Sequence, residues 1–132
     1  MSTRPGRRGR KGIYMTDYNK RAEQILNEMR LEEKIAQLCS IWLVLQEGEL
    51  RVRSLSGVTQ EASAVDPFER MAHGIGQITR PLGSAPVEPV EGVRMLNRVQ
   101  QFLVNNTRLG IPAIPHEECL AGVMAKRGTM FP

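Results

Sequence analysis

The sequence predicts an α/β fold organised around a strand–helix–strand unit. Three observations predict it. Gly76-Gln77-Ile78-Thr79 is a short apolar segment of strand type, and residues 90–107 repeat apolar side chains at helical spacing. Ile111 to Ile114 is a second short strand, closed by Pro115. A strand, a crossover helix and a parallel strand in one sheet form a right-handed unit in nearly all cases. Both following loops, residues 80–86 and His116 onward, then fall at the carboxyl ends of parallel strands, where α/β sheets bind ligands.

The elements follow in order. Residues 18–29 read as a helix with Ala22, Ile25, Leu26 and Met29 on one face, and Thr16 or Asp17 is placed to cap it. A second helix runs from Leu31 to about Trp42, with Ile35, Leu38, Cys39 and Trp42 on one side. Glu32 and Glu33 in its first turn suit the positive end of the helix dipole. On this stripe Trp42 is a packing residue, the alternative being a platform for a sugar ring. Residues 46–65 are irregular and read as a loop or hairpin. Asp66-Pro67-Phe68 starts a short helix, with Asp66 as cap and Pro67 in the first turn, ending at Gly74 after His73. His73 reads as a partner of that helix's negative end. In the helix over residues 90–107, Leu96, Val99 and Leu103 share a face widened by Met95 and Phe102, and Gly110 supplies the stop.

At 132 residues and 41% hydrophobic content the chain suits one modest globular domain. Its net charge of +4 is a property of the beginning. Arg4, Arg7, Arg8, Arg10 and Lys11 stand there without an acid, leaving 13 basic and 14 acidic residues, a net of −1, in the remainder. Residues 1–15 are expected to be a basic, disordered tail and residues 16–132 the domain. A nucleic-acid-binding arm is the functional alternative for that tail, but no nucleic-acid partner is expected. No apolar region of secretory type follows the charges, and no run approaches the ~18 apolar residues of a membrane span. Two cysteines, Cys39 and Cys119, are too few for a disulfide framework and fit a reducing compartment, so a cytoplasmic location is expected.

The chemistry-bearing stretch is His116-Glu117-Glu118-Cys119, where the last strand hands over to ionisable residues. Adjacent Glu117 and Glu118 point to opposite sides of an extended backbone. A retaining glycosidase needs carboxyl groups about 5 Å apart across a sugar, and an inverting one about 6.5–9.5 Å. Neighbouring residues are a poor way to build either pair. One of the two is better read as an acceptor for a bound polar group, or as a solvated or capping carboxylate. No second Cys or His stands at zinc spacing, and Leu120 occupies the place of the second His of an HExxH motif, so no metal site is expected. Cys119 beside Leu120 reads as a buried small residue. Thr79 stands where a dinucleotide fingerprint beginning at Gly74 would need its third glycine, and no phosphate-binding loop is present, so no cofactor is expected. Nothing here completes a catalytic centre.

Three stretches nevertheless, residues 29–38 (MRLEEKIAQL), 110–122 (GIPAIPHEECLAG) and 128–132 (GTMFP), together resemble glycoside hydrolase family 3, the β-glucosidases and β-xylosidases. The run from Met29 to Leu38, MRLEEKIAQL, looks like the family's opening MTLEEKIAQL. Gly110 to Gly122 is similar to its GIPxIPHEECLxG block, and Gly128-Thr129-Met130-Phe131-Pro132 to the GAT-x-FP that follows. Residues 74–81 are similar to the first barrel strand. The likeness runs from about Thr16 to Pro132.

The resemblance implies the first part of a (β/α)8 barrel, incomplete in this chain, from an enzyme with an Asp nucleophile and a Glu acid/base. It implies a retaining hydrolase releasing terminal non-reducing β-linked sugars, β-glucosidase-like, with β-xylosidase as the alternative. A β-glycoside or oligosaccharide would be the substrate. In the wider family an Asp in a GxDAxHG block binds sugar hydroxyls, and aligning that block places Glu118 at the Asp. His116 and Glu117 share the loop and are weaker substrate-binding candidates. Ala121 stands where many relatives have His, and Arg30 where the family has a capping Thr. The nucleophile and the acid/base of relatives lie beyond Pro132, and a barrel needs about 250 residues. The 132 residues alone are therefore expected to be inactive and poorly folded, with an unpaired strand edge. A sugar-binding module without cleavage is the non-enzymatic alternative.

Overall fold

The structure, a computed structural model, describes residues 13–53, 66–120 and 122–128. The expectations for residues 1–12, for the polar run 54–65, for Ala121 and for residues 129–132 lie outside the described residues. In chain order the elements are α1 (Ile13–Glu28), α2 (Leu31–Leu38), β1 (Ser40–Gln46), β2 (Glu49–Val52), α3 (Pro67–Arg70), β3 (Gln77–Thr79), α4 (Pro89–Asn106) and β4 (Ile114–His116). The sheet order is β2-β1-β3-β4. β1 pairs with β3, and β3 with β4, in parallel, while β2 folds back antiparallel on β1. A mixed α/β fold with its strand–helix–strand unit, β3-α4-β4, is as the sequence predicts.

The largest correction concerns the second helix, which stops at Leu38 rather than continuing to Trp42. Cys39 is extended (φ −96°, ψ 154°) and the next seven residues are a strand. Ile41 and Leu43 are buried with an intervening half-buried Trp42, the two-residue period of a sheet. The helical stripe that the sequence suggested is not a core face here, since Leu38 is 90% exposed and Ile35 is also exposed. The hairpin expected after residue 46 is present. Its turn is Glu47-Gly48, with positive φ at both residues (52° and 81°), the mirror-image turn that matches strand twist.

The first helix starts at Ile13, so Thr16 and Asp17 lie inside it and do not cap it. α3 is capped as expected, with Asp66 Oδ1 accepting from Phe68 N at 3.0 Å and Pro67 in the first turn. It is shorter than predicted, ending at Arg70. α4 matches its predicted span to one residue, and buries Met95, Val99 and Leu103 at four-residue spacing. Val99 and Leu103 pack with Ile41, Leu43, Val52, Met71, Ile75, Ile78 and Ala113 into one core, at whose side the Phe68 and Phe102 rings lie 4.7 Å apart.

The last strand is shifted from its predicted place. Residues 111–113 are not paired in the sheet, and the strand is Ile114–His116, with Pro115 inside it. The cause is Gln100 on α4: its Nε2 donates to Ala113 O at 2.8 Å, and its Oε1 accepts from Ala113 N at 3.0 Å. Both backbone groups of Ala113 are thus taken by the helix before the strand begins. Pairing starts with Ile114 N donating to Gly76 O (2.9 Å) and ends with Arg80 N donating to His116 O (2.8 Å). Pro115, between them in register, has no N–H to offer the far side of the strand, a position that tolerates proline.

The amino-end side of the parallel strands is tied by charge. Glu33, 6% exposed, accepts from Arg108 Nε (2.7 Å) and Nη2 (2.5 Å) and from Arg30 N (2.8 Å), while Arg108 Nη2 also reaches Glu28 O. Arg30 stands at the helix cap without a side-chain capping bond, so Glu33 satisfies the orphan amide instead. The hydrogen bonds from Arg108, then from Arg30 N, hold the Glu33 carboxyl at about 2, below its ordinary 4.5. A depressed carboxyl stabilises the fold above the unfolded value, and that contribution is lost as pH falls from about 4.5 through about 2. We expect Glu33→Gln to flatten the acid side of the curve of thermal midpoint against pH over that window. Parallel acid limbs for the two proteins would contradict the assignment.

Candidate functional site

The register across the three parallel strands decides which side chains meet. Trp42, Thr79 and His116 are Cα partners in one row, so their side chains share a face; Ile41, Ile78 and Pro115 take the other. Ile41 and Ile78 belong to the core, whereas Trp42, Thr79 and His116 are only half-buried on the open face, where Thr79 and His116 end β3 and β4. Ser40 and Thr79 are linked through their hydroxyls on that same face.

After β3 the chain turns sharply. Arg80 has a left-handed backbone (φ +46°), costly for a residue with a Cβ, and its side chain folds back over its own loop. Nη2 donates to Gly83 O at 3.2 Å, and Nη1 lies 3.6 Å from Glu118 Oε2. The guanidinium carbon is 5.6 Å from the centroid of the Trp42 ring, and Arg53 stands over the same ring at 4.9 Å. Trp42 Nε1–H donates to Ser84 Oγ, whose own hydroxyl donates to Arg80 O at 2.5 Å. Strand β1 and the loop after β3 are thereby joined through one indole.

The segment after β4 meets this loop from the other side. Glu117 Oε1 accepts from Leu82 N (2.6 Å) and Gly83 N (3.2 Å), so its carboxylate holds the loop backbone. Glu118 is 53% exposed at its side chain and keeps Arg80 as its ion-pair partner. Both carboxylates therefore reach the loop over residues 80–83, rather than pointing apart as a simple extended backbone would require. His116 lies in β4, half-buried, with its carbonyl used by Arg80. Cys119, expected to be buried, is exposed. Further along, Lys126 and Arg127 pair with Glu88 at the start of α4 (2.5 and 3.3 Å).

The three sequence-derived candidates thus stand together at the carboxyl ends of β3 and β4, with different tasks. Glu117 is engaged by backbone amides, His116 is part of the sheet, and Glu118 presents a carboxylate to the open side. Sequence reasoning named the loop over residues 80–86 but missed the part of Arg80 and Trp42 in it. The signal was the run Ile-Trp-Leu-Val-Leu, rich in β-branched and aromatic residues, which marks a strand and puts Trp42 beside Thr79. Among the described residues, no group of three His, Cys, Asp or Glu is arranged to hold a metal ion, and no helix is long and apolar enough to cross a membrane.

Comparison with known proteins bears on which chemistry such a face serves. Residues 30–132 match the glycosyl hydrolase family 3 N terminal domain. The chain belongs to glycosyl hydrolase family 3. The match takes in α2, the whole sheet, the loop with Arg80 and the segment with Glu118. A curated protein of Formosa agariphila with the name "Putative beta-xylosidase" is 30% identical over 114 residues, covering 84% of this chain. The chain spans 14% of the length of that relative.

Proposed function

We propose that the whole protein is a retaining glycoside hydrolase that releases terminal non-reducing β-linked sugars, β-glucosidase-like in specificity. These 132 residues supply the first strands of its (β/α)8 barrel. The single observation that carries the site is the Glu118 carboxylate, half-exposed at the carboxyl ends of β3 and β4 in a family 3 domain. A carboxylate in that position accepts hydrogen bonds from sugar hydroxyls, and charge-assisted bonds of this kind are the strong ones. His116 lines the same face, and Glu117 fixes the loop beside it. The barrel reading is supported by the parallel order β1-β3-β4, with α4 packed on one face and the face of Trp42, Thr79 and His116 left open.

The Asp nucleophile and the Glu acid/base of the family mechanism belong, on this reading, to parts of the protein outside these residues. The 132-residue domain alone therefore hydrolyses nothing. β-Xylosidase activity is the second reading, favoured by the name of the Formosa agariphila relative. Steady-state hydrolysis of p-nitrophenyl β-D-glucoside and β-D-xyloside by the whole protein separates the two. We expect turnover of both with the higher kcat/KM on the glucoside; the reverse order assigns a β-xylosidase. Failure to hydrolyse either would overturn the glycosidase reading, and turnover by the purified, monodisperse domain would overturn its inactivity.

A further inference from the structure

We propose that Arg80 is the positioning residue for Glu118, holding its carboxylate at the angle in which it receives the sugar. The inference rests on the reading of Glu118 as the sugar-binding carboxylate and deepens it. Four observations converge on Arg80. Its backbone occupies the left-handed region at φ +46°, a conformation that persists in a residue with a side chain only where the surroundings impose it. Its guanidinium is fixed on several sides, by Gly83 O through Nη2 and by the Trp42 ring. Its side chain is 21% exposed, and Nε is enclosed without a partner among the described residues, so one donor is given up to keep this pose. The remaining Nη1 lies 3.6 Å from Glu118 Oε2, as an ion pair.

A surface ion pair between two free side chains would contribute little, because both must be ordered to form it. Here the ordering of the cation is already supplied by the loop and the indole. Glu118, which no described neighbour but Arg80 binds, takes its orientation from that fixed point. Glu117 completes the arrangement by holding the amides of Leu82 and Gly83, and so the loop from which Arg80 projects. The guanidinium therefore touches the carboxylate and acts on the sugar through it.

The test is a double-mutant cycle in the whole protein, measured as kcat/KM on an aryl β-glycoside that it hydrolyses, with thermal midpoints recorded alongside. Glu118→Gln, Arg80→Ala and the double variant are compared with the unsubstituted protein. If Arg80 acts through Glu118, Arg80→Ala lowers kcat/KM by about ten-fold, and the double variant is no worse than Glu118→Gln alone. Added guanidinium ion restores part of the activity of Arg80→Ala and none of that of Glu118→Gln. Arg80→Lys, which keeps the charge and loses the fork, falls between the parent and Arg80→Ala and serves where the alanine variant does not fold. Multiplicative losses in the double variant, or parental kcat/KM in Arg80→Ala, overturn the role of Arg80 while leaving Glu118 in the site. Parental kcat/KM in Glu118→Gln overturns the site reading itself, and with it this proposal.

Discussion

We expect Glu118→Gln, made in the whole protein, to lower kcat/KM on an aryl β-glycoside by ten-fold or more, about 1.4 kcal/mol of transition-state binding. The substitution keeps the size and the acceptor oxygen of the side chain and removes its charge. Hydrogen bonds to an ionised acceptor are roughly twice as strong as neutral ones, so sugar hydroxyls held by Glu118, as proposed, would lose most where the ring is held most tightly. Because a sugar bound for cleavage is distorted toward the transition state, kcat falls together with kcat/KM, and KM alone does not account for the loss. The fold is little affected: the side chain of Glu118 is 53% exposed, and a partly exposed ion pair such as its contact with Arg80 is worth about 0–1 kcal/mol. Steady-state kinetics and a melting curve on the same preparation check both statements. An unchanged kcat/KM removes Glu118 from the site.

The second large effect concerns stability. Gly76 stands where the end of α2 crosses the start of β3, its N donating to Ala36 O at 3.0 Å and its O accepting from Ile114 N at 2.9 Å. A Cβ added there would lie 2.0 Å from the backbone oxygen of Gln37 and 2.7 Å from its carbonyl carbon. Both obstacles are main chain, and both sides of the contact are held by hydrogen bonds, so relief requires moving the helix off the strand. Overpacking of a well-packed interior costs about 1–3 kcal/mol where side chains yield, and a backbone obstacle exceeds that range. Gly76→Ala is therefore expected to destabilise the whole protein by about 3 kcal/mol or more, read as a lower denaturant midpoint at unchanged slope. Gly48→Ala is the control, since nothing lies within 4 Å of its added Cβ and only its left-handed φ of 81° is strained. It costs about 1–2 kcal/mol. Equal losses for the two would contradict the crossing contact as the reason for Gly76.

How much of this was legible in the sequence depends on how local each cause is. α4 was readable to one residue because its apolar spacing is long and regular, and because Gly110 supplies a stop. The start of α3 was readable because Asp66 and Pro67 act within their own turn. The boundary at Cys39 was not. Leu38, Cys39 and Trp42 continue a helical spacing on paper, which masked the strand-type run from Ile41, and it is the pairing of β1 with β2 and β3 that fixes Ile41 and Leu43 inward. The final strand failed for the same kind of reason. Ile111 to Ile114 is apolar and bounded by glycine and proline, yet Gln100, on another element, takes both backbone groups of Ala113.

The site was legible in its address more than in its working parts. The loops after β3 and β4 follow from the strand–helix–strand pattern, and Glu118 follows from the family resemblance. That Glu117 is spent on the amides of Leu82 and Gly83, and that Arg80 faces Glu118 from across the loop, are long-range contacts with no local signature. The Glu33–Arg108 pair is of the same kind, joining residues that only the fold brings within 2.7 Å. Glu33 nevertheless shows what the pattern does offer: a carboxylate in the first turn of α2 was expected on electrostatic grounds, and it is there that the capping amide is satisfied.

The most direct measurement of the central claim is a crystal structure of the whole protein with a monosaccharide product, glucose or xylose, bound. The account predicts the sugar at the carboxyl ends of β3 and β4, with hydroxyl groups within about 2.5–3.0 Å of the Glu118 carboxylate and Arg80 still paired to it. A sugar seated elsewhere, with Glu118 turned to solvent, would contradict it.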